Sequence, residues 1–176
     1  MSVYRKDNPK YFQQAVESVI NQTIKPSEII IVKDGKLPED LEVICDFLKE
    51  KNEISIRYVQ LEKNMGLGIA LQKGLIECNY DLVARMDSDD IAKENRFELQ
   101  LNKFAEDREL VICGGYIEEF SETPDKVYAL RRVPLECDDI RKFSKKRNPF
   151  NHMSVMYKKE KIQKKKESAS LRPLSW

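Results

Sequence analysis

Ile29-Ile30-Ile31-Val32-Lys33-Asp34-Gly35 joins a run of β-branched residues to a charged turn. β-Branched side chains favour extended backbone because their crowded Cβ restricts χ1. A strand with one wet face alternates apolar and polar residues. This uninterrupted apolar run instead predicts a strand buried on both faces, as in parallel sheets covered by helices. The flanking sequence supplies those helices. Upstream, Asn8-Pro9 reads as an N-cap followed by proline at the first helical position. Phe12, Ala15, Val16, Val19 and Ile20 then recur at helical spacing, and Pro26 forbids continuation much beyond Thr23.

Downstream, Leu41, Ile44, Cys45 and Leu48 mark a second amphipathic helix, and residues 54 to 61 read as a strand. A helix is expected from Leu67 to Cys78, a strand from Leu82 to Met86, a helix from Arg96 to Asp107 and a strand over Leu110-Val111-Ile112-Cys113. Strands separated by helices of this length require right-handed crossovers. The expected fold class is therefore α/β, a three-layer α/β/α sandwich with a mainly parallel sheet. Beyond Gly114 the pattern changes to strands at residues 116–120 and 127–132, a short helix near 138–144 and a strand near 153–157. Residues 1–160 are expected to form one domain, and 161–176 an irregular basic tail without periodicity.

Composition narrows the partners. Of 176 residues, 31 are basic and 30 acidic, leaving a formal charge of +1, so no global field favours nucleic acid or a membrane. Arg141, Lys142, Lys145, Lys146, Arg147, Lys158, Lys159, Lys161, Lys164, Lys165 and Lys166 form a basic end. That end reads as a solvated face or as an approach to anionic lipid or diphosphate. Aromatics do not interleave with it, which argues against nucleic-acid binding. Cys45, Cys78, Cys113 and Cys137 form no CxxC pair, and the first three read as small core residues in a reducing cytoplasm. No apolar run has the length of a membrane span, and no signal peptide is expected before the first helix.

Polar residues gather where strands end, the edge at which open α/β sheets bind ligands. Lys33-Asp34-Gly35, Asn64-Met65-Gly66-Leu67-Gly68 and Asp87-Ser88-Asp89-Asp90 each follow a predicted strand. Crowded carboxylates repel one another, and a hard cation such as Mg²⁺ or Mn²⁺ relieves that while keeping coordination sites for substrate phosphates. A calcium loop with Asp87, Asp89 and Glu98 at its first, third and twelfth positions fails, because Ile91 and Ala92 stand where an oxygen ligand and a glycine are needed. Asp34 reads either as an acceptor for the edge of a base such as uracil or as a turn aspartate. The Asn64, Gly66, Gly68 segment is either a phosphate-cradling turn or a tightly packed helix start. Asp87 suits ribose or metal, Asp89 metal, and Asp90 supports them or caps the next helix. Arg85 balances their charge. His152 reads as a contact to diphosphate or acceptor, or as a structural hydrogen bond.

These segments, in this order, resemble a family 2 glycosyltransferase of the GT-A fold, of the type that builds bacterial cell-envelope polysaccharide. The matching words are Ser2-Val3-Tyr4, Ala15 through Thr23, Ile31 through Gly35, Asn64 through Leu71, Ala84 through Ile91 and Arg147-Asn148-Pro149-Phe150-Asn151-His152-Met153. The resemblance implies inverting transfer of a sugar from a nucleotide donor, usually a UDP-sugar, to a hydroxyl of a glycan or lipid-linked acceptor. It implies a nucleotide-sugar site of Ser2, Tyr4, Asp34, Asn64, Gly68, Arg85, Asp87 and Ser88, with Asp89 and Asp87 on the metal. Bound Mn²⁺ or Mg²⁺ would stabilise charge on the departing diphosphate. A cytoplasmic enzyme, peripheral to the inner face of the membrane, is expected.

Both ends depart from the family pattern. The Ser-Val-Tyr position is usually preceded by apolar residues of the first strand, so that strand is expected to be curtailed. The family usually continues into an acidic segment that supplies a general base, whereas this chain runs into a lysine-rich tail, which suggests a frame-shifted or truncated end. Glu118, Glu119 and Asp138 are candidate bases that spacing does not separate, and no catalytic base is assigned. The rival readings are a catalytically impaired nucleotide-sugar-binding remnant and a nucleotidyltransferase. The second should carry an N-terminal glycine-rich loop, and none precedes Tyr11.

Overall fold

A computed structural model describes residues 1–168. The elements are β1 (Ser2–Val3), α1 (Pro9–Ile20), β2 (Glu28–Lys33), α2 (Glu39–Lys51), β3 (Ser55–Gln60), α3 (Leu67–Glu77), β4 (Leu82–Ala84) and α4 (Arg96–Glu106). They continue as β5 (Ile112–Cys113), β6 (Ile117–Phe120), β7 (Val127–Arg131), α5 (Cys137–Phe143), a 3₁₀ turn (His152–Ser154), β8 (Met156–Lys158) and α6 (Lys159–Ser168). The fold is α/β, with helices on both faces of a mainly parallel sheet. Strands β1, β2 and β3 pair in parallel, and β8 lies antiparallel between β4 and β5. A β6–β7 hairpin stands apart.

The apolar run that predicts a doubly buried strand is β2. Ile29 and Ile31 enter the main core with Phe12, Val16, Leu41, Cys45, Leu48, Phe97 and Phe104 from α1, α2 and α4. Ile30 and Val32 face the other way, against α3. The packing there is close: a Cβ on Gly74 would lie 2.9 Å from Val32 Cγ2. Alanine would gain about 1 kcal/mol in helix propensity but lose about 1–3 kcal/mol to overpacking. Gly74→Ala is therefore expected to lower stability by about 1 kcal/mol in urea unfolding, and a gain in stability would contradict this packing. Asn8 caps α1 as expected, its Oδ1 accepting from Lys10 N at 2.9 Å and Tyr11 N at 3.3 Å.

Three expectations are corrected. Residues 161–168 are helical rather than irregular, being part of α6. That helix has Ile162 as its single apolar residue, so it carries no apolar periodicity. Its formation rests instead on the good helix propensity of Lys, Glu and Gln and on Asp81, which accepts from Lys159 N at 2.7 Å and Glu160 N at 3.1 Å. The rest of the expected tail, 169–176, lies outside the described residues. The strand near 153–157 begins instead at Met156, after the 3₁₀ turn. Asp90 does not cap the next helix, because α4 starts at Arg96 with Asn95 at the N-cap position. Among the described residues no helix is long and apolar enough to cross a membrane.

Candidate active site

The turn after β2 is tied to its neighbours on both sides. Asp34 N–H donates to Val3 O of β1 at 2.8 Å, and Gln60 Nε2 from β3 donates to Gly35 O at 3.0 Å. The buried Asp34 carboxylate accepts from Met65 N at 2.7 Å and Gly66 N at 3.0 Å, one oxygen for each. It thereby holds the turn that opens α3. Of the two sequence readings, the turn-holding one is realised directly, and each oxygen keeps acceptor capacity for a ligand. Gly35 has φ of +90°, and a Cβ there would stand 2.7 Å from Asn64 N. Gly66, at the N-cap of α3, has φ of 85° and ψ of 156°. Gly68 sits within the first turn of α3 with open space around it, so the backbone demand falls on Gly66. Asn64 is exposed at the same turn.

The turn after β4 carries the acidic residues. Arg85 is buried, and its Nη2 and Nε donate to Asp87 Oδ1 at 3.1 and 3.3 Å. The second oxygen of Asp87 lies 2.9 Å from His152 Nε2. Ser88 Oγ donates to Asp7 Oδ2 at 2.8 Å, and the same oxygen accepts from Tyr4 N at 3.1 Å. Asp7 thus bridges β1's C-terminal turn to the acidic turn. Asp34 joins β1 from the other side, so Ser2, Tyr4, Asp34, Asp87, Ser88 and Asp89 share one rim. Asp89 is exposed and, among the described residues, makes no hydrogen bond or ion pair. Tyr4 is also exposed.

The electrostatics fit an incoming cation. Burial, followed by the charges of Asp87 and Asp89, pushes Asp90 up from an ordinary 3.8 to about 6. Burial likewise raises Asp7, against the hydrogen bonds from Ser88 and Tyr4. Among the described residues no three His, Cys, Asp or Glu side chains converge on a metal position. The set suits an ion that takes one or two carboxylates and completes its shell with water and phosphate, which is the habit of Mg²⁺. Asp89 is the carboxylate free to serve. Asp87 would have to give up Arg85 or His152 first.

The raised Asp90 carboxyl has a testable consequence. The native state keeps this proton at pH values where the unfolded chain has lost it, so stability is full below pH 3.8 and falls as pH rises through about 6. In metal-free buffer, Asp90→Asn is expected to raise the thermal midpoint at pH 7.5 relative to the parent, with the gap closing toward pH 4. A gap that does not change with pH would contradict this.

Residues that sequence reasoning did not assign to the site hold the rim from beneath. Arg96, half-buried, donates through Nη2 to Arg85 O at 2.8 Å and Val155 O at 3.3 Å, and through Nε to Gln100 Oε1 at 3.1 Å. Burial lowers its guanidinium to about 10. Gln22, fully buried at the end of α1, donates to Ser18 O at 3.0 Å and Lys93 O at 2.8 Å while accepting from Phe97 N at 2.9 Å. Ser18 Oγ accepts from Ala92 N at 3.0 Å. The polar residues of Ser18 through Gln22 therefore fix the loop that follows the acidic turn. On the far side, Ser154 Oγ accepts from Gly115 N at 2.9 Å and Asn151 Nδ2 donates to Gly115 O at 2.9 Å, seating His152 against Asp87.

An α/β sheet with an acidic rim at its strand ends defines a class, and comparison gives the family. The model of glycosyl transferase family 2 matches residues 1–170, and the chain belongs to that family. It is 42% identical over 163 residues to an uncharacterized glycosyltransferase of Haemophilus influenzae, covering 92% of this chain and 60% of that protein. It is 40% identical over 162 residues to the UDP-Gal:alpha-D-GlcNAc-diphosphoundecaprenol beta-1,3-galactosyltransferase of Escherichia coli, covering 92% and 58%. The amylovoran biosynthesis glycosyltransferase of Erwinia amylovora is also 40% identical over 162 residues, covering 92% and 59%. The chain thus spans under two thirds of the length of these relatives. Among solved structures, the mannosyltransferase of Pyrobaculum calidifontis in complex with GDP-Man and Mn²⁺ shares the fold, with a TM-score of 0.65 at 12% identity over 94% of this chain and 45% of that one.

Proposed function

We propose that this chain forms the donor-binding part of a glycosyltransferase. It transfers a sugar from a nucleotide diphosphate, a UDP-sugar, to an acceptor hydroxyl with inversion, in bacterial envelope polysaccharide assembly. The observation that carries the reading is the exposed, unpartnered Asp89 beside Asp87 and Asp90, on the rim it shares with Asp34 and Tyr4. A divalent ion bound at Asp89 would act as a Lewis acid toward the diphosphate. The chain's own residues prepare that position. Arg85 and His152 orient Asp87, Asp7 holds the Ser88 turn, and Arg96 fixes the backbone behind it. Tyr4 after β1 and Asn64 after β3, both exposed, flank the space for the nucleoside on either side of the β2 turn.

The donor and acceptor class follow the Escherichia coli relative, whose name specifies UDP-Gal and a diphosphoundecaprenol-linked GlcNAc. Work on a lipid-linked acceptor implies peripheral contact with the cytoplasmic face of the membrane, where the basic residues of α5 and α6 suit anionic headgroups. The test is transfer of radiolabelled sugar from a panel of UDP-sugars to lipid-linked GlcNAc diphosphate, with Mn²⁺. Labelled lipid product is expected. Nucleotide binding without product from any donor would instead favour the catalytically impaired remnant, and neither binding nor product would defeat both readings.

A further inference from the structure

Arg141-Lys142-Phe143-Ser144-Lys145-Lys146-Arg147 carries five cations and no anion, and it spans the end of α5 and the turn after it. The acids of α5 sit in its first turn, where Asp138 lies 3.8 Å from Arg141 and Asp139 lies 3.4 Å from Lys142. All four side chains are exposed, and such pairs contribute little. The chain keeps turning past Phe143, whose carbonyl accepts from Lys146 N at 2.9 Å and Arg147 N at 3.1 Å. Arg141 and Lys145, and Lys142 and Lys146, are therefore like charges four residues apart on successive turns, an arrangement that repels. Arg147 is held over the Phe143 ring, its Cζ 5.1 Å from the centroid. The ammonium groups of Lys145 and Lys146 are exposed and, among the described residues, make no hydrogen bond or ion pair. A polyvalent anion would relieve this crowding, as a cation would at the acidic rim.

The basic run is tied to that rim. Asn148 Oδ1 accepts from Phe150 N at 3.0 Å, which closes a turn directly after Arg147. Phe150 packs against Gly114, where a Cβ would stand 3.1 Å from its Cδ1, and Asn151 Nδ2 donates to Gly115 O at 2.9 Å. His152 comes next, 2.9 Å from Asp87. From Arg147 to His152 is at most about 18 Å of extended chain, and less across the turn. The inference rests on the proposed function, in which a sugar carried on a lipid diphosphate offers its hydroxyl at the rim. The diphosphate of that acceptor then stands one hexose away from Asp87 and Asp89. We propose that the run Arg141–Arg147 is the site that holds the acceptor diphosphate. Lys145 and Lys146 supply free point charges, and the planar fork of Arg147 matches phosphate oxygens. Bulk anionic headgroups would be served equally by a basic run anywhere on the surface. A run fixed a few residues from His152 suits a ligand whose reacting group lies at the rim.

The test is calorimetric titration of GlcNAc α-diphosphate bearing a short alkyl ester into the full chain, in metal-free buffer so that no ion at the acidic rim contributes. The variants are Lys145→Ala/Lys146→Ala/Arg147→Ala, the conservative Lys145→Arg/Lys146→Arg, and Lys49→Ala/Lys51→Ala in the last turn of α2 as a control. The triple variant is expected to bind at least tenfold more weakly while its thermal midpoint stays near the parent's. The arginine and control variants should bind at least as tightly as the parent. The same alkyl GlcNAc without the diphosphate should bind the parent at least tenfold more weakly. Equal affinity in the parent and the triple variant would overturn the proposal, as would no binding to the parent. If the triple variant kept its acceptor affinity but no longer cosedimented with phosphatidylglycerol vesicles, the run would belong to the bilayer and the proposal would fall. UDP binding with Mn²⁺, measured on the same proteins, reports on the donor site and should not change in the triple variant, so the two readings fail separately.

Discussion

Asp34→Ala is expected to lower unfolding free energy by about 3–5 kcal/mol and to abolish measurable UDP binding. The buried carboxylate accepts from Met65 N and Gly66 N, and hydrogen bonds to a charged group contribute about 1.5–3 kcal/mol each. Alanine removes both and leaves two donors at the start of α3 without an acceptor. Asp34→Asn keeps one carbonyl oxygen in the same volume, so it should retain about half the difference. Urea unfolding of the three proteins gives the ranking. An alanine variant within about 0.5 kcal/mol of the parent, a change ordinary for surface positions, would show that the carboxylate does not hold this turn.

Gly35→Ala should be nearly as damaging, at about 3 kcal/mol or more. Two costs combine there. The positive φ of +90° disfavours any side chain, and the added Cβ would stand 2.7 Å from Asn64 N and 3.1 Å from Lys63 C, both backbone atoms that no rotamer change can move. Gly66→Ala separates the two contributions. Gly66 also has positive φ, but nothing lies within 4 Å of a Cβ built on it, so only backbone strain of about 1–3 kcal/mol is expected. Equal losses at the two glycines would mean that the close approach of the β2 and β3 turns is not what selects glycine at residue 35.

The same residues explain how far the sequence could be read. The run Ile29–Val32 announces a doubly buried strand because both faces of β2 are apolar, and Asn8-Pro9 announces a helix start because capping is local. Polar turns after β2, β3 and β4 are visible because each follows an apolar run within a few residues. What stayed hidden depends on distant partners. Asp7 reads as one more polar residue before a helix until Ser88 meets it from 81 positions away. Gln22 and Arg96 gain their roles from Lys93, Phe97, Arg85 and Val155, and no periodicity reports that. Gly66 and Gly68 look interchangeable in sequence, and only backbone geometry separates them. The placement of β8 between β4 and β5 is likewise a long-range pairing. α6 is not legible because a helix with one apolar residue, Ile162, has no stripe to read.

The account rests on carboxylates that hold a cation which in turn holds a pyrophosphate. Calorimetric titration of UDP into the parent and into Asp89→Ala, each with and without Mn²⁺, tests this most directly. The account predicts binding to the parent only with Mn²⁺, and none to Asp89→Ala under either condition while its thermal midpoint stays near the parent's. Binding of UDP to Asp89→Ala as tightly as to the parent, or equally with and without the ion, would contradict it.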